Sequence, residues 1–388
     1  MLVLVLTSSG ASHKPRRRSA LPRQTAKLVA VSTPNQNTTR LTATTRSTAK
    51  PHPRSAGSQH RRSRHDIDRM LGQTIVARFQ GPQPSPAFLQ RIRRGEIGGV
   101  ILFADNVAAG IAHTRALTTE LQNAARQGGN PPLLIMTDQE GGTVHRLPGA
   151  PYLAASAMRS GDLAFKQGLA TGRLLRAAGV NVDLAPVADV ERAPGSFLGK
   201  RAFGSSSAVV ADRACAFAVG LQSQGVAYTL KHFPGLGRAT TSTDNGPVAI
   251  GAPASLIRAD YLPYVSCGSE PLALVMVSSA AYPSLSGPLP AVMSRAIYQR
   301  ELRIIDPQAP PLTISDDLQA AALARQPSPT ERAVGAGLDL LLYAQTEKAS
   351  ADAYQALLTD VHDADISLLR LARAEHAIHA LKQALKIR

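Results

Sequence analysis

Eight short runs of β-branched and leucine-rich residues recur along the chain, separated by amphipathic stretches of helical length, and this alternation leaves few folds open. The runs cover residues 74–79, 99–103, 133–137, 180–184, 227–230, 272–277, 312–315 and 338–342. Most are apolar without a polar alternate, as strands buried on both faces must be, and such strands come from parallel sheets with crossover helices. Helical patterning fills residues 111–126, 163–178, 208–224 and 256–265, and these segments end in Gly, Pro or polar turns. Eight strand and helix units in roughly 320 residues predict a single closed (β/α)8 TIM barrel over residues 66–388. An open doubly wound sheet is the alternative, but no G-x-G-x-x-G follows an early strand.

Composition matters once it is divided along the chain. The first 65 residues hold thirteen of the 43 Lys and Arg and none of the 27 Asp and Glu, so the rest is nearly balanced and the net charge of +16 belongs to the tail. Rich in Ser, Thr, Arg, Pro and Gln, that segment cannot bury enough apolar surface to offset chain entropy and reads as disordered. Nucleic acid is not an expected partner of the body. The apolar run of residues 1–6 is too short for a secretory signal, and no segment has the length of a membrane span, so compartment stays open between cytoplasm and export with an atypical N-terminus. Cys215 and Cys267 lack metal-ligand spacing and read as ordinary buried thiols.

In a (β/α)8 barrel the catalytic groups gather where strands end. Here the third run ends in Asp138-Gln139-Glu140, the fourth leads to Asp189, the fifth ends in Lys231-His232 and the seventh in Asp316-Asp317. Carboxylates with one Lys, one His and several Arg, and no Cys or His cluster, suit chemistry on a polyhydroxylated substrate without metal or cofactor. Glycoside cleavage needs such groups: one carboxylate at the anomeric carbon and one acid at the leaving oxygen.

Four segments in order carry a more specific signal: Asp138-Gln139-Glu140-Gly141-Gly142 with Val144 and Arg146, Gly199-Lys200-Arg201-Ala202-Phe203-Gly204, Lys231-His232-Phe233-Pro234-Gly235, and Ser315-Asp316-Asp317-Leu318. The chain resembles the family three glycoside hydrolases from about Leu71 almost to its end, and within them the single-domain β-N-acetylglucosaminidases acting on peptidoglycan fragments. The resemblance implies a retaining mechanism with Asp316 as nucleophile, and Asp138, Arg146, Arg201, Lys231 and His232 as the residues that hold the sugar. It implies a carbohydrate substrate; a monomer is the expected state, with oligomerisation left open by the sequence.

The resemblance breaks at one loop. Many members of the subgroup read Lys-His-Phe-Pro-Gly-His-Gly and then Asp-Ser-His, whose last His is the acid/base. Here Leu236 replaces the first of those histidines, and Ser242-Thr243-Asp244 stands at the Asp-Ser-His positions. Asp244 is the candidate acid/base, since a carboxyl group serves if its surroundings raise its pKa. The Gly-containing loop around it is expected to swing over bound sugar, while Asp189 is expected to orient Arg201. A β-glucosidase or glycoside phosphorylase on the same barrel, and a sugar-binding barrel without catalysis, remain open on the sequence alone.

Overall fold

The computed structural model describes residues 63–387, and the disorder expected of the basic segment concerns residues that lie almost wholly outside that range. The first described helix opens with a capping box. Ser63 accepts a hydrogen bond from the Asp66 N–H, and the Asp66 carboxylate reaches back to the Ser63 N–H, starting α1 (Arg64–Gly72).

All eight apolar runs become strands of one parallel sheet: β1 (Ile75–Ala77), β2 (Gly99–Leu102), β3 (Leu134–Thr137), β4 (Val182–Asp183), β5 (Ala227–Phe233), β6 (Ala273–Val277), β7 (Leu312–Ser315) and β8 (Leu341–Leu342). Neighbours in sequence pair in space, and β8 pairs back onto β1. The last seam is closed by a parallel bridge between Ile314 and Leu340, with Ser315 N–H donating to Leu340 O at 3.0 Å. The result is a barrel.

Its period of two explains why both faces had to be apolar. Val76, Ile101, Leu134, Met136, Leu274, Met276 and Ile314 point inward and fill the barrel, while Ile75, Ala77, Val100, Leu102, Ile135 and Val275 point outward under the helices. The outer layer includes α2 (Pro86–Arg94), α3 (Ile111–Gln127), α4 (Gly161–Ala178), α5 (Ser207–Gln222), α6 (Leu262–Cys267), α7 (Pro329–Ala336) and α8 (Glu347–His362). The last helix, α9 (Leu368–Ala384), does something else: its Ile378 and Leu381 join the interior cluster, and buried Lys382 donates to Gly98 O and to Gln73 Oε1, just ahead of β2 and β1. The end where strands begin is therefore floored, and chemistry is left to the opposite end. No helix among the described residues is long and apolar enough to cross a membrane.

Two sequence expectations need correction. The helix expected over residues 256–265 is two short ones, Ala254–Arg258 and α6, because Pro263 in the first turn of α6 has no N–H to continue an earlier helix. The cysteines are not free thiols. Cys215 on α5 and Cys267 on α6 form a disulfide across 52 residues of sequence, a pairing set by the packing of two helices that sequence spacing alone does not reveal. By the chain-entropy argument a loop of this length contributes about 4 kcal/mol. Replacing both cysteines with alanine is expected to lower unfolding free energy by about 2–4 kcal/mol in urea titration, and an unchanged midpoint would show that the bond contributes nothing.

Candidate active site

The predicted gathering of polar groups at the strand C-termini is present. A cavity of about 420 Å³ opens at the barrel mouth, and Asp138, Arg146, Arg201, Lys231, His232, Asp244 and Asp316 all line it.

The floor of the cavity is built from β3 and β5. Lys231 Nζ lies 2.8 Å from Asp138 Oδ1 and 2.6 Å from Glu140 Oε1, and Arg201 grips Glu140 with two bonds, Nε at 2.7 Å and Nη2 at 2.8 Å. A buried charge persists only when paired in this way. Burial works against ionising Glu140, yet Lys231 and Arg201 hold its carboxyl down to about 2, and the same acids keep the buried Lys231 ammonium above its ordinary range. Glu140 is thus a residue that sequence reasoning left out of the site. It was legible only as part of a motif, because nothing in its position reveals that it joins Lys231 to Arg201.

Arg146 arrives on a short hairpin (Gln139–Gly141 and Val144–His145) that carried no apolar-run signal. The fully buried Gln139 shapes it, accepting from the Arg146 and Leu147 N–H groups and donating to the Leu147 and Ala150 carbonyls. The hairpin needs its glycines. Gly141 has φ +93°, and a Cβ there would sit 2.3 Å from Leu153 O. Arg146 comes within 3.8 Å of Asp138 and stacks 5.1 Å from the Phe103 ring centre, with Arg78 at 4.3 Å from the same ring. Below this group lies Asp183, whose Oδ1 accepts the Gln139 N–H and whose carboxyl burial pushes up to about 8.

Asp189 takes a different role from the one expected. It contacts the segment after β5: Oδ2 lies 2.8 Å from His232 Nδ1, and Oδ1 accepts from the His232 and Leu236 N–H groups. It therefore orients His232, leaving Nε2 as the nitrogen available to a ligand. Arg201 is oriented by Glu140 instead.

The two acids after β7 are separated by their partners. Asp317 Oδ1 accepts from the Gln319 and Ala344 N–H groups and Oδ2 from the Gln345 amide, so it ties the end of β7 to the end of β8. Asp316 does none of this. Its Oδ1 accepts the adjacent Asp317 N–H at 2.9 Å and its Oδ2 the Thr243 hydroxyl at 3.4 Å. Burial raises its pKa, and the charge of Asp244 raises it further. His232, the Asp317 N–H and Lys231 oppose the shift, so the nearby cations counter burial without overcoming it.

The loop carrying Asp244 is more tightly fixed than its composition suggested. Gly237 packs so closely that a Cβ would fall 1.8 Å from Val190 O, its carbonyl accepts from the Arg192 and Ala193 N–H groups, and Arg238 pairs with Asp260 at 3.0 Å. Farther along, Thr243 is buried and its carbonyl accepts the Ala322 N–H. Between these anchors residues 240–242 are exposed or half-buried, and Asp244 itself is exposed, accepting from Ser242 Oγ at 3.0 Å. The expected swing of the whole loop thus meets fixed backbone at Gly237 and at Thr243, directly before Asp244.

Comparison with known proteins finds relatives along most of the barrel. An uncharacterized secreted glycosyl hydrolase of Arthroderma benhamiae is 31% identical over 333 residues, taking in 82% of this chain and 94% of that protein. The β-hexosaminidase LpqI of Mycobacterium tuberculosis is 36% identical over 243 residues, which span 58% of this chain and 62% of that enzyme. The crystal structure of a β-N-acetylhexosaminidase from Beutenbergia cavernae superposes with a TM-score of 0.73 at 27% identity, covering 82% of this chain and 98% of that one. The model of the glycosyl hydrolase family 3 N-terminal domain matches residues 67–381, from α1 to the helix that floors the barrel. The strand-end acids and cations thus sit on a barrel that the family match spans from first strand to last, and the chain belongs to glycosyl hydrolase family 3.

Proposed function

We propose that the protein hydrolyses terminal, non-reducing β-N-acetylglucosamine from glycosides, peptidoglycan fragments among them, by a retaining mechanism in which Asp316 is the nucleophile and Asp244 the acid/base. The observation that carries this reading is the division of labour among the mouth carboxylates. Asp138 and Glu140 are committed to Lys231 and Arg201, Asp317 to the β8 end, and Asp316 has no ion-pair partner among the described residues. The names of the hexosaminidase relatives support the sugar specificity.

In this reading Asp138, Arg146, Lys231 and the Nε2 of His232 fix the sugar hydroxyls by charge-assisted hydrogen bonds, and Arg201 contributes the Nη1 that Glu140 does not take. Asp316 attacks the anomeric carbon while Asp244 protonates the departing oxygen. A water deprotonated by Asp244 then releases the sugar with its β configuration restored.

A paired assay tests it. Purified protein is expected to cleave an aryl β-N-acetylglucosaminide well and the matching β-glucoside poorly, at rates that added phosphate leaves unchanged. A preference for the glucoside, or a sugar 1-phosphate as product, would overturn the proposal.

A further inference from the structure

Thr243 stands between the two carboxylates that the proposed chemistry requires. It is only 2% exposed, and its backbone is fixed by the Ala322 N–H on its carbonyl at 3.0 Å. Its hydroxyl meets Asp316 Oδ2 at 3.4 Å, while Asp244 follows it directly in sequence. The contact on the other oxygen, from the Asp317 N–H, is local to the end of β7. Oδ2 is held from outside its own strand, by the loop that carries the acid/base.

We propose that Thr243 is a positioning residue that holds the carboxylate of Asp316 through Oδ2 and speeds breakdown of the glycosyl-enzyme. The inference rests on Asp316 being the nucleophile. In the first step an Asp316 oxygen donates an electron pair to the anomeric carbon, the bond to the leaving oxygen breaks, and the carboxylate loses its charge. In the second, a water oxygen bonds to the anomeric carbon, Asp244 takes the water's proton, and the sugar–Asp316 bond breaks with its electron pair returning to the carboxylate. A hydroxyl donating to that carboxylate favours the state in which it is charged. The Thr243 bond therefore slightly restrains the first step and assists the second, where Asp316 leaves.

The other groups that face Asp316 are Lys231 and His232 from β5, Asp244 from the loop, the adjacent Asp317 and Tyr282. Thr243→Val leaves all of them in place and removes one donor with little change in shape. Asp316, already raised by burial, is then expected to titrate higher still, because its ionised form has lost a hydrogen bond.

The test is steady-state and pre-steady-state kinetics on an activated aryl β-N-acetylglucosaminide. Thr243→Val is expected to lower kcat about tenfold with kcat/KM held within about threefold, so that KM falls too and the glycosyl-enzyme accumulates as a larger burst. The acid limb of its kcat/KM profile is expected to move to higher pH, and Thr243→Ser to restore both. Thr243→Cys, of similar volume and a weaker donor, gives the same direction should valine impair folding. Equal losses in kcat and kcat/KM with the acid limb unmoved would overturn the proposal, leaving Thr243 as a shaping residue. So would a loss confined to substrates with poorly activated leaving groups, which reports displacement of Asp244. If Asp316→Ala keeps turnover, it is the nucleophile assignment that has failed. An inactive Asp316→Ala beside an unaltered acid limb in Thr243→Val fails Thr243 alone.

Discussion

Asp316→Ala is expected to lower kcat/KM on an aryl β-N-acetylglucosaminide by on the order of 10⁴-fold or more, the scale on which losing a covalent nucleophile is felt. The fold is not expected to suffer. Burial raises the Asp316 pKa above its unfolded value, so the folded state binds this proton more tightly and loses stability as pH rises through that interval. At neutral pH the ionised side chain is then a net cost, and the alanine variant should melt at the same temperature as the parent or higher. Lost activity with retained melting separates chemistry from unfolding. Azide provides the second readout: entering the space left by the carboxylate, it should restore part of the turnover and give a glycosyl azide of inverted, α configuration. A variant that keeps a tenth of the parent rate without azide would move the nucleophile elsewhere.

Asp244→Asn should show its effect through the leaving group. With a poorly activated aglycone, kcat/KM is expected to fall by about 10²- to 10⁴-fold, the usual worth of a positioned general acid. A nitrophenyl leaving group needs little protonation, so its kcat/KM should fall far less, and a plot against leaving-group pKa should steepen. Equal slowing across the series would remove Asp244 from the role. The position is a demanding one for an aspartate, because it has to reach the leaving oxygen from directly after a residue, Thr243, whose backbone is fastened to Ala322.

Much of the barrel was legible because burial on both faces writes an unmistakable pattern. Val76 between Ile75 and Ala77, or Ile135 between Leu134 and Met136, leaves no polar alternate to confuse strand with loop. The mouth residues were legible as types at strand ends. Their pairings were not. That Glu140 would join Lys231 to Arg201, or that Asp189 would turn to His232, depends on how neighbouring strands are staggered, and one-dimensional spacing does not carry that information. The disulfide and the broken helix before α6 were hidden for a related reason: helix packing set the first, and a single proline inside an otherwise helical pattern set the second. Thr243 offered no signal of its own, since a threonine in a Gly- and Thr-rich loop reads as solvated until its burial against Asp316 is seen.

The bond between Cys215 and Cys267 also changes the connectivity of the molecule. The residues between them include β5, with Lys231 and His232, and the exposed tip bearing Asp244. Backbone and sulfurs together make a closed ring around the acid/base segment. A single protease cut among residues 240–242 opens that ring without severing the molecule, because the two pieces stay covalently joined through α5 and α6. Such a nicked chain has every chemical group of the intact one, and it becomes two chains only when a reductant reaches the sulfurs.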